Sequence, residues 1–508
     1  MDLFAAGDVA DLRLRDAAVI DVGSNSVRLV IYRMEGRAIV PALNEKVLAG
    51  LGRGVAQTGR LNPEGVEQAI ASLARFRMIL NAAGIRDVEA VATAAVRDAS
   101  DGAAFVARVA RETGLQLRVI SGAEEARLSA LGVLAGMPQA DGLVGDLGGS
   151  SLELVRITPT GVGEGETFGL GPLAMEPGAG ADVGRQRQLL VEALRASRVL
   201  PDVRGGAFYA VGGAWRALAR IDMQIRDYPL KILHHYVIPR AEALTVADFV
   251  ARQSRKSLER LDGAAGSRAE TLPHAANLLA ALIEAGDLQK VVISAFGLRE
   301  GALFARMSDA ERDVDPMVAG AAAIAGGDRR MRAFAVALDG WIAPAFSSLP
   351  ELFAPGREAL IRRAACHLAD LGARLHPDHR ADLAFELVLR APYAGLDHAE
   401  RAFLALCAFH RYSYRGDPPA RMVVARLLDE EQRARARASG AAMRLGADLS
   451  GRSAGLLATC ALKLRAGRLT LEPSPAGRGL VTDQVRKRLG QLAAVLGLPA
   501  SANLDAEP

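Results

Sequence analysis

Two carboxylates bracket a glycine turn at Asp146-Leu147-Gly148-Gly149-Ser150-Ser151-Leu152-Glu153. Apolar residues precede it (Leu143, Val144) and follow it (Leu154, Val155, Ile157), the pattern of strand, tight turn, strand. Glycine admits φ > 0 and lets the backbone approach a ligand closely. Successive amides in such a turn form a nest for an anion, and the two serines add hydroxyl donors. Asp146 and Glu153 supply the oxygen ligands that a hard cation such as Mg²⁺ takes. An ordinary hairpin with a surface Asp and Glu would carry the same pattern. A second copy weighs against that: Asp21-Val22-Gly23-Ser24-Asn25-Ser26 also lies between apolar runs, 17–20 and 27–31. Two such turns suggest a duplicated subdomain with one phosphate loop from each half.

The elements around these turns alternate between strand and helix, which signals an α/β domain. Strands are expected at 17–21, 27–34 and 37–48, with Glu35-Gly36 turning the last pair. Asn62 caps a helix that has Pro63 in its first turn. A strand at 87–93 ends in Thr93-Ala94-Ala95-Val96-Arg97-Asp98, and a helix from about 101 stops at Gly114. The next strand, 116–120, runs into Ser121-Gly122-Ala123-Glu124-Glu125. Ser121 and Glu124 have capping-box spacing, which gives Glu124 a structural job. Glu125 has no such job and sits at the carboxyl end of a strand, where α/β sheets bind ligands. It is either a candidate general base or a surface glutamate answering the helix dipole. A third unit, the strand 208–211 with Gly212-Gly213 and a helix, fits a nucleotide site or close helix packing equally well. From about residue 312 the pattern is helical, with a short hairpin expected near 469–471 and its turn at 474–479.

At 508 residues the chain is too long for one core. A net charge of +4 from 62 basic and 58 acidic residues gives no argument for nucleic acid, although a local basic groove could hold a polyanion. Cys366, Cys407 and Cys460 fit no disulfide framework or zinc ribbon, so reduced thiols in a cytoplasmic protein are expected. Residues 1–15 contain Asp2, Asp8 and Asp11 and do not read as a signal peptide. No apolar run reaches membrane-spanning length.

Eight segments resemble the exopolyphosphatase/guanosine pentaphosphate phosphatase (Ppx/GppA) family of the actin–sugar kinase–Hsp70 superfamily. They are AVIDVGSNSVRLVI (18–31), ATAAVRDAS (92–100), ISGAEEARL (120–128), GDLGGSSLELV (145–155), AVGGAWRALA (210–219), DYPLKILHHY (227–236), RAETLPHAA (268–276) and SAFGLREG (294–301). They follow the family's order across most of residues 17–305. The resemblance implies two ribonuclease-H-like (actin-like) subdomains facing a cleft, 1–134 and 135–310. A helical domain similar to HD phosphohydrolases would follow at 311–508. It implies Glu125, the second of the Glu-Glu pair, as catalytic base and Arg97 as a phosphate ligand. The phosphate loops are then Gly23, Ser24, Asn25 and Ser26 with Gly148, Gly149, Ser150 and Ser151. Asp21, Asp146 and Glu153 match metal-associated acidic positions, and Arg268 and Arg299 match family arginines. With Arg216 and Lys231 these are candidate polyanion contacts.

The implied reaction is Mg²⁺-assisted release of orthophosphate from inorganic polyphosphate. Alternatives are 5′-hydrolysis of guanosine pentaphosphate or non-catalytic sensing of guanosine tetraphosphate. A homodimer is implied, with neither membrane nor nucleic acid as partner. An ATP-dependent kinase or Hsp70-like ATPase on the same fold would instead need an adenosine pocket near Gly212-Gly213. Two positions depart from the family. Ser150 replaces a third loop glycine, and Ala369-Asp370 replaces the His-Asp pair of an HD metal site. His376, His379, His398 and His410 have no familiar ligand spacing.

Overall fold

The computed structural model describes residues 14–174, 182–261, 268–326 and 329–502. Residues 1–13 and the side chain of Arg268 lie outside the described set. The chain divides into two compact units, one of residues 14–34 with 39–313 and the other containing 35–38 and 314 onward.

The first unit holds two sheets. One contains β1 (Leu14–Val22), β2 (Val27–Glu35), β3 (Ala38–Val47), β4 (Val88–Ala92) and β5 (Arg118–Val119) in the order β3-β2-β1-β4-β5. The other contains β6 (Gly142–Leu147), β7 (Leu152–Thr158), β8 (Gly161–Phe168), β9 (Ala207–Val211), β10 (Tyr236–Pro239) and β11 (Lys290–Ile293). Its order is β8-β7-β6-β9-β11-β10, the same arrangement with β10 added at the edge. β10 carries no clear sequence signal because it is four residues long and ends in proline. In each sheet the strand before the glycine turn lies parallel to the next strand inward, β1 to β4 and β6 to β9.

Period-two alternation explains why β1 is central. Ala18, Ile20 and Val22 pack with Ala69, Leu73, Phe76 and Leu80 of the helix Pro63–Ala82. Ala17 and Val19 face the other way, onto Leu303, Phe304 and Met307. Both faces are covered, so from Ala17 onward the strand reads as a continuous apolar run broken only at Asp21, near its carboxyl end. Asn62 caps the Pro63–Ala82 helix as expected, accepting from the Glu64 and Gly65 amides at 3.0 and 3.4 Å.

The two halves exchange helices. The helix Gly122–Gly136 follows the first sheet but packs Ala126, Ala130 and Val133 against Val144, Val155 and Tyr209 of the second. The helix Leu298–Phe304 follows the second sheet but packs on β1 of the first. The subdomain division expected at 134/135 therefore falls inside a helix that belongs by packing to the other sheet. Where the exchanged helices cross, a methyl group at Gly301 would collide with the Leu128 carbonyl, and one at Gly132 with the Gly297 carbonyl. The crossing is a backbone-to-backbone contact that only glycine permits.

The second unit is mainly helical, with a small sheet of β12 (Cys460–Arg465), β13 (Arg468–Pro473) and β14 (Ala500–Ala502). A hairpin is present, but its turn is Ala466-Gly467, both residues at positive φ. The expected turn at 474–479 is instead part of a 3₁₀ helix, Pro475–Leu480. Ser-Pro-Ala-Gly offered stronger turn chemistry than Arg-Ala-Gly-Arg, and misplaced the reading.

Gly301→Ala should destabilise the chain by about 2 kcal/mol or more through overpacking. Gly490→Ala, in a helix where the new methyl meets nothing within 4 Å, should be neutral or stabilising. Thermal unfolding of the two variants checks this; equal midpoints would remove the crossing from the stability account.

Candidate functional site

The two glycine turns have the same hydrogen bond: Gly23 N–H donates to the Ser26 carbonyl at 3.0 Å, and Gly148 N–H to the Ser151 carbonyl at 3.0 Å. Loop carbonyls are held back into the protein. Ser24 and Asn25 accept from the amides of Gly52 (2.7 Å) and Gly50 (3.1 Å), while Gly149 and Ser150 accept from Leu173 (2.8 Å) and Gly171 (3.2 Å). Among the described residues the amides of Ser24, Asn25, Gly149 and Ser150 donate to no carbonyl. Carbonyls turned inward and amides left over are the makings of an anion nest. The loops meet across the two halves, where the Ser150 hydroxyl lies 3.1 Å from that of Ser24.

The expectation of positive φ in these loops is corrected: none of Gly23, Gly148, Gly149 or Ser150 has it. Ser150 therefore fits without strain where the family pattern has glycine. Gly149 is small for another reason, since a Cβ there would lie 3.0 Å from Leu173 and 3.2 Å from Ser24. Gly212 does have φ 124°, and a Cβ would lie 2.7 Å from the Leu147 carbonyl oxygen. Close packing on β6 accounts for that glycine.

Register places the acidic pair. Asp146 and Glu153 are direct partners across the antiparallel β6–β7 ladder, so their side chains share a face. The Ser129 hydroxyl donates to Asp146 Oδ2. Burial pushes the Asp146 carboxyl up, while Ser129 and then Arg216 pull it back. Glu153 is 1% exposed and neither carboxylate oxygen is hydrogen-bonded, although the Ser151 hydroxyl is near enough to favour its charge. Burial and the neighbouring Glu125 push it well above the ordinary range. Asp21 is engaged differently, accepting from Arg299 Nη1 at 3.1 Å. Among the described residues no three His, Cys, Asp or Glu side chains form a ready-made metal cluster. Asp21, Asp146 and Glu153 are thus not assembled as a ligand triad.

Glu125 lies in the first turn of its helix and is 8% exposed. Ser121 caps that helix by accepting from the Glu124 amide at 3.1 Å. The reciprocal half of the expected capping box is absent, because the Glu124 carboxylate takes Arg118 instead. Glu125 remains the inward carboxylate and accepts from Arg97 Nη1 at 3.3 Å. Arg97 is itself steadied by Asp98 at 3.0 Å and the Ile120 carbonyl at 3.3 Å. Burial is the main cause that lifts the Glu125 carboxyl to about 8, followed by the charge of Asp146, with Arg97 opposing.

Arg216 and Arg299 line the second half. Arg216 is tied to the carbonyls of Gly212 (3.1 Å) and Ala295 (3.0 Å), and burial then Arg299 bring it down to about 10. Burial disfavours the Arg299 charge too, but Glu300, Asp21 and Tyr32 outweigh it. Lys231 is exposed. Ser129 was missed in the sequence because nothing but the fold brings it to Asp146. Arg28 was also missed; it holds the place in the first copy that Glu153 holds in the second, a signal available from aligning the two turns. In the C-terminal unit His398 and His410 are buried, His410 Nδ1 lies 3.0 Å from the Ser413 carbonyl, and the rings of His376 and His379 are 5.7 Å apart. Asp370 is paired with Arg452 at 3.5 Å.

A duplicated actin-like core, with glycine turns from both halves whose amides are left over and a buried carboxylate–arginine pair, fits a phosphoryl-transfer class of protein. The chain belongs to the Ppx/GppA phosphatase family, which matches residues 30–310. A second match, "Exopolyphosphatase, C-terminal", covers residues 336–501. The chain is 29% identical over 311 residues to Exopolyphosphatase 1 of Mycobacterium tuberculosis, covering 58% of this chain and 89% of that protein. It shares its fold with an exopolyphosphatase crystal structure from Cytophaga hutchinsonii (TM-score 0.53, 24% identity, 58% of this chain and 98% of that one). The Aquifex aeolicus Ppx/GppA family member gives a TM-score of 0.51 at 26% identity, over 58% of this chain and 97% of that one.

Glu125 holds its proton to about pH 8 when folded, against an ordinary value of 4.5. The folded state binds more protons than the unfolded chain in that window, so stability falls as pH rises from 4.5 to 8. Glu125→Gln should therefore be stabilising above pH 8, by about 2–4 kcal/mol, with the gain fading as pH falls from 8 to 4.5 and absent below that. Denaturant titrations across that range check it; a gain that does not vary with pH would contradict the buried-acid assignment.

Proposed function

We propose that this chain is an exopolyphosphatase that hydrolyses the terminal phosphoanhydride of inorganic polyphosphate and releases orthophosphate. The observation that carries the reading is the buried Glu125–Arg97 pair set beside two turns whose amides are left without acceptors. The names of its relatives favour polyphosphate over guanosine pentaphosphate, and the intact Glu125 argues against a purely sensing role.

In this reading the amides and hydroxyls of residues 23–26 and 148–151 hold the terminal phosphate. Arg97 offsets the charge that spreads over the transferring group. Glu125 orients the attacking water and takes its proton as the in-line displacement proceeds. Unpaired, buried Glu153 with Asp146 opposite it fits a divalent cation that keeps water and phosphate oxygens in the rest of its shell. Bound there, such a cation would supply charge neutralisation. Asp21 then serves as the counterion that fixes Arg299. Arg268, Arg299 and Lys231 are assigned to the remainder of the polyanion. Three free, buried cysteines support a reducing, cytoplasmic setting, and a homodimer is the assembly proposed. Among the described residues no helix is long and apolar enough to cross a membrane.

Phosphate release should be seen with long-chain polyphosphate and Mg²⁺, stop on chelation, and exceed release from guanosine pentaphosphate. Glu125→Gln should lower turnover by about 10²–10⁴-fold with folding intact. Turnover within tenfold of the parent would remove Glu125 as base, and preference for guanosine pentaphosphate would change the substrate. Glu153→Gln should raise the Mg²⁺ needed for half-maximal rate by about tenfold or more, read from a metal titration; an unchanged requirement would move the cation elsewhere.

A further inference from the structure

In the C-terminal unit two arginines stack on one tyrosine, and three more, Arg444, Arg452 and Arg488, are their charge neighbours. Tyr412 ends the helix His398–Tyr412, and its ring carries the Arg411 guanidinium at 4.9 Å and that of Arg380 at 5.8 Å from the centroid. Its hydroxyl donates to the Ala369 carbonyl at 2.8 Å and accepts from the Gly372 amide at 2.9 Å. These bonds fix the ring against the turn that contains Asp370. Arg452 reaches Asp370 at 3.5 Å, and Arg488 takes Asp448 at 2.8 Å. Arg444 lies one turn before Asp448 in the helix Glu430–Ser450.

Two carboxylates therefore face five guanidinium groups. Asp370 and Asp448 are taken by Arg452 and Arg488, and among the described residues no carboxylate pairs with Arg380, Arg411 or Arg444. Arg411 is 8% exposed and its Nε has no partner. Burial lowers the Arg411 guanidinium and Arg452 adds to it, against the opposing pull of Tyr412, Asp370 and Asp448. Burial and then Arg488 lower that of Arg444, with Asp448 opposing and Arg411 and Arg380 adding to the lowering. A buried, unpaired cation among like charges is costly, and truncating neighbours would be the simple way to relieve it. Guanidinium forks match the oxygens of a tetrahedral oxyanion, and each such bond is charge-assisted. A dianion or trianion balances the surplus of three.

We propose that Arg380, Arg411 and Arg444, walled by Tyr412, form a binding site for a phosphate group within the C-terminal unit, separate from the Glu125 site. The group is either free inorganic phosphate or the phosphate of a larger molecule. The proposal does not depend on the reaction at Glu125.

The test is calorimetric titration and thermal unfolding of the full chain with orthophosphate, tripolyphosphate and adenosine monophosphate in separate arms. Glu125→Gln is used as the parent so that no ligand is consumed. At least one arm should show a binding event that Arg444→Met and Arg380→Met each weaken tenfold or more while the other events persist. Both arginines are half-buried, so the variants should fold. In phosphate-free buffer Arg444→Met should melt at or above the parent, because repulsion is relieved, and should lose part of the ligand-induced rise. Tight binding by orthophosphate alone would name the free ion, and by either of the others the phosphate of a larger molecule. Binding unaffected by both substitutions, no binding in any arm, or a lower melting point for Arg444→Met without ligand would overturn the site.

Discussion

The backbone contact between the helices Gly122–Gly136 and Leu298–Phe304 is the constraint on which the first unit rests. Each helix leaves the carboxyl end of a strand in one sheet and packs on the other sheet. Both starting turns therefore come to the place where the two glycine loops meet. A side chain at Gly132 or Gly301 would push the helices apart and move Glu125 away from Arg97. Packing density makes such displacements discrete, since interiors do not stretch to absorb a methyl group. The position of one carboxylate is thus set by two residues with no side chain at all.

That placement works against stability. Glu125, Asp146 and Glu153 are three carboxylates in one buried region, and their protein partners are few: Arg97 for Glu125 and Ser129 for Asp146. A glutamate in the first turn of a helix is ordinarily favoured as an anion by the dipole, an effect of about 1 kcal/mol. Here burial and like charge win, because the carboxyl rises to about 8 rather than falling. A core selected for stability alone would replace Glu153 with an apolar residue. Keeping it there costs stability, and the cation proposed above would offset that cost.

Local chemistry in the sequence was enough to find the two turns, the duplicated strand order and Glu125, since glycine turns, apolar runs and a carboxylate after a strand are all short-range signals. The capping argument separated Glu125 from Glu124 with a wrong detail: Ser121 does cap the helix, but Glu124 goes to Arg118. What was not legible depends on tertiary register. Ser129 reaches Asp146 only because its helix packs on the second sheet, and Asp21 meets Arg299 only because the last helix returns to the first. The positive φ expected of the loop glycines failed for a related reason. Their small size leaves room for a neighbour, as Gly149 does for Leu173 and Ser24, and the turn itself does not require it.

Duplication without symmetry explains why one catalytic carboxylate is expected and not two. Ser121 and Gly297 cap equivalent helices, and the residue three places on is glutamate in both, Glu124 and Glu300. In the second copy the glutamate does reach back, accepting from the Gly297 amide at 2.9 Å. Four places on, the copies part: Glu125 in the first is Gly301 in the second. Gly301 has no room for a side chain because the Leu128 carbonyl of the Glu125 helix occupies it. The strand after each turn diverges in the same sense, with Arg28 in one copy where Glu153 stands in the other. One half therefore contributes the buried Glu125 with Arg97 beside it, while the other contributes the buried, unpaired Glu153. The crossing that positions Glu125 is also what forbids a second one.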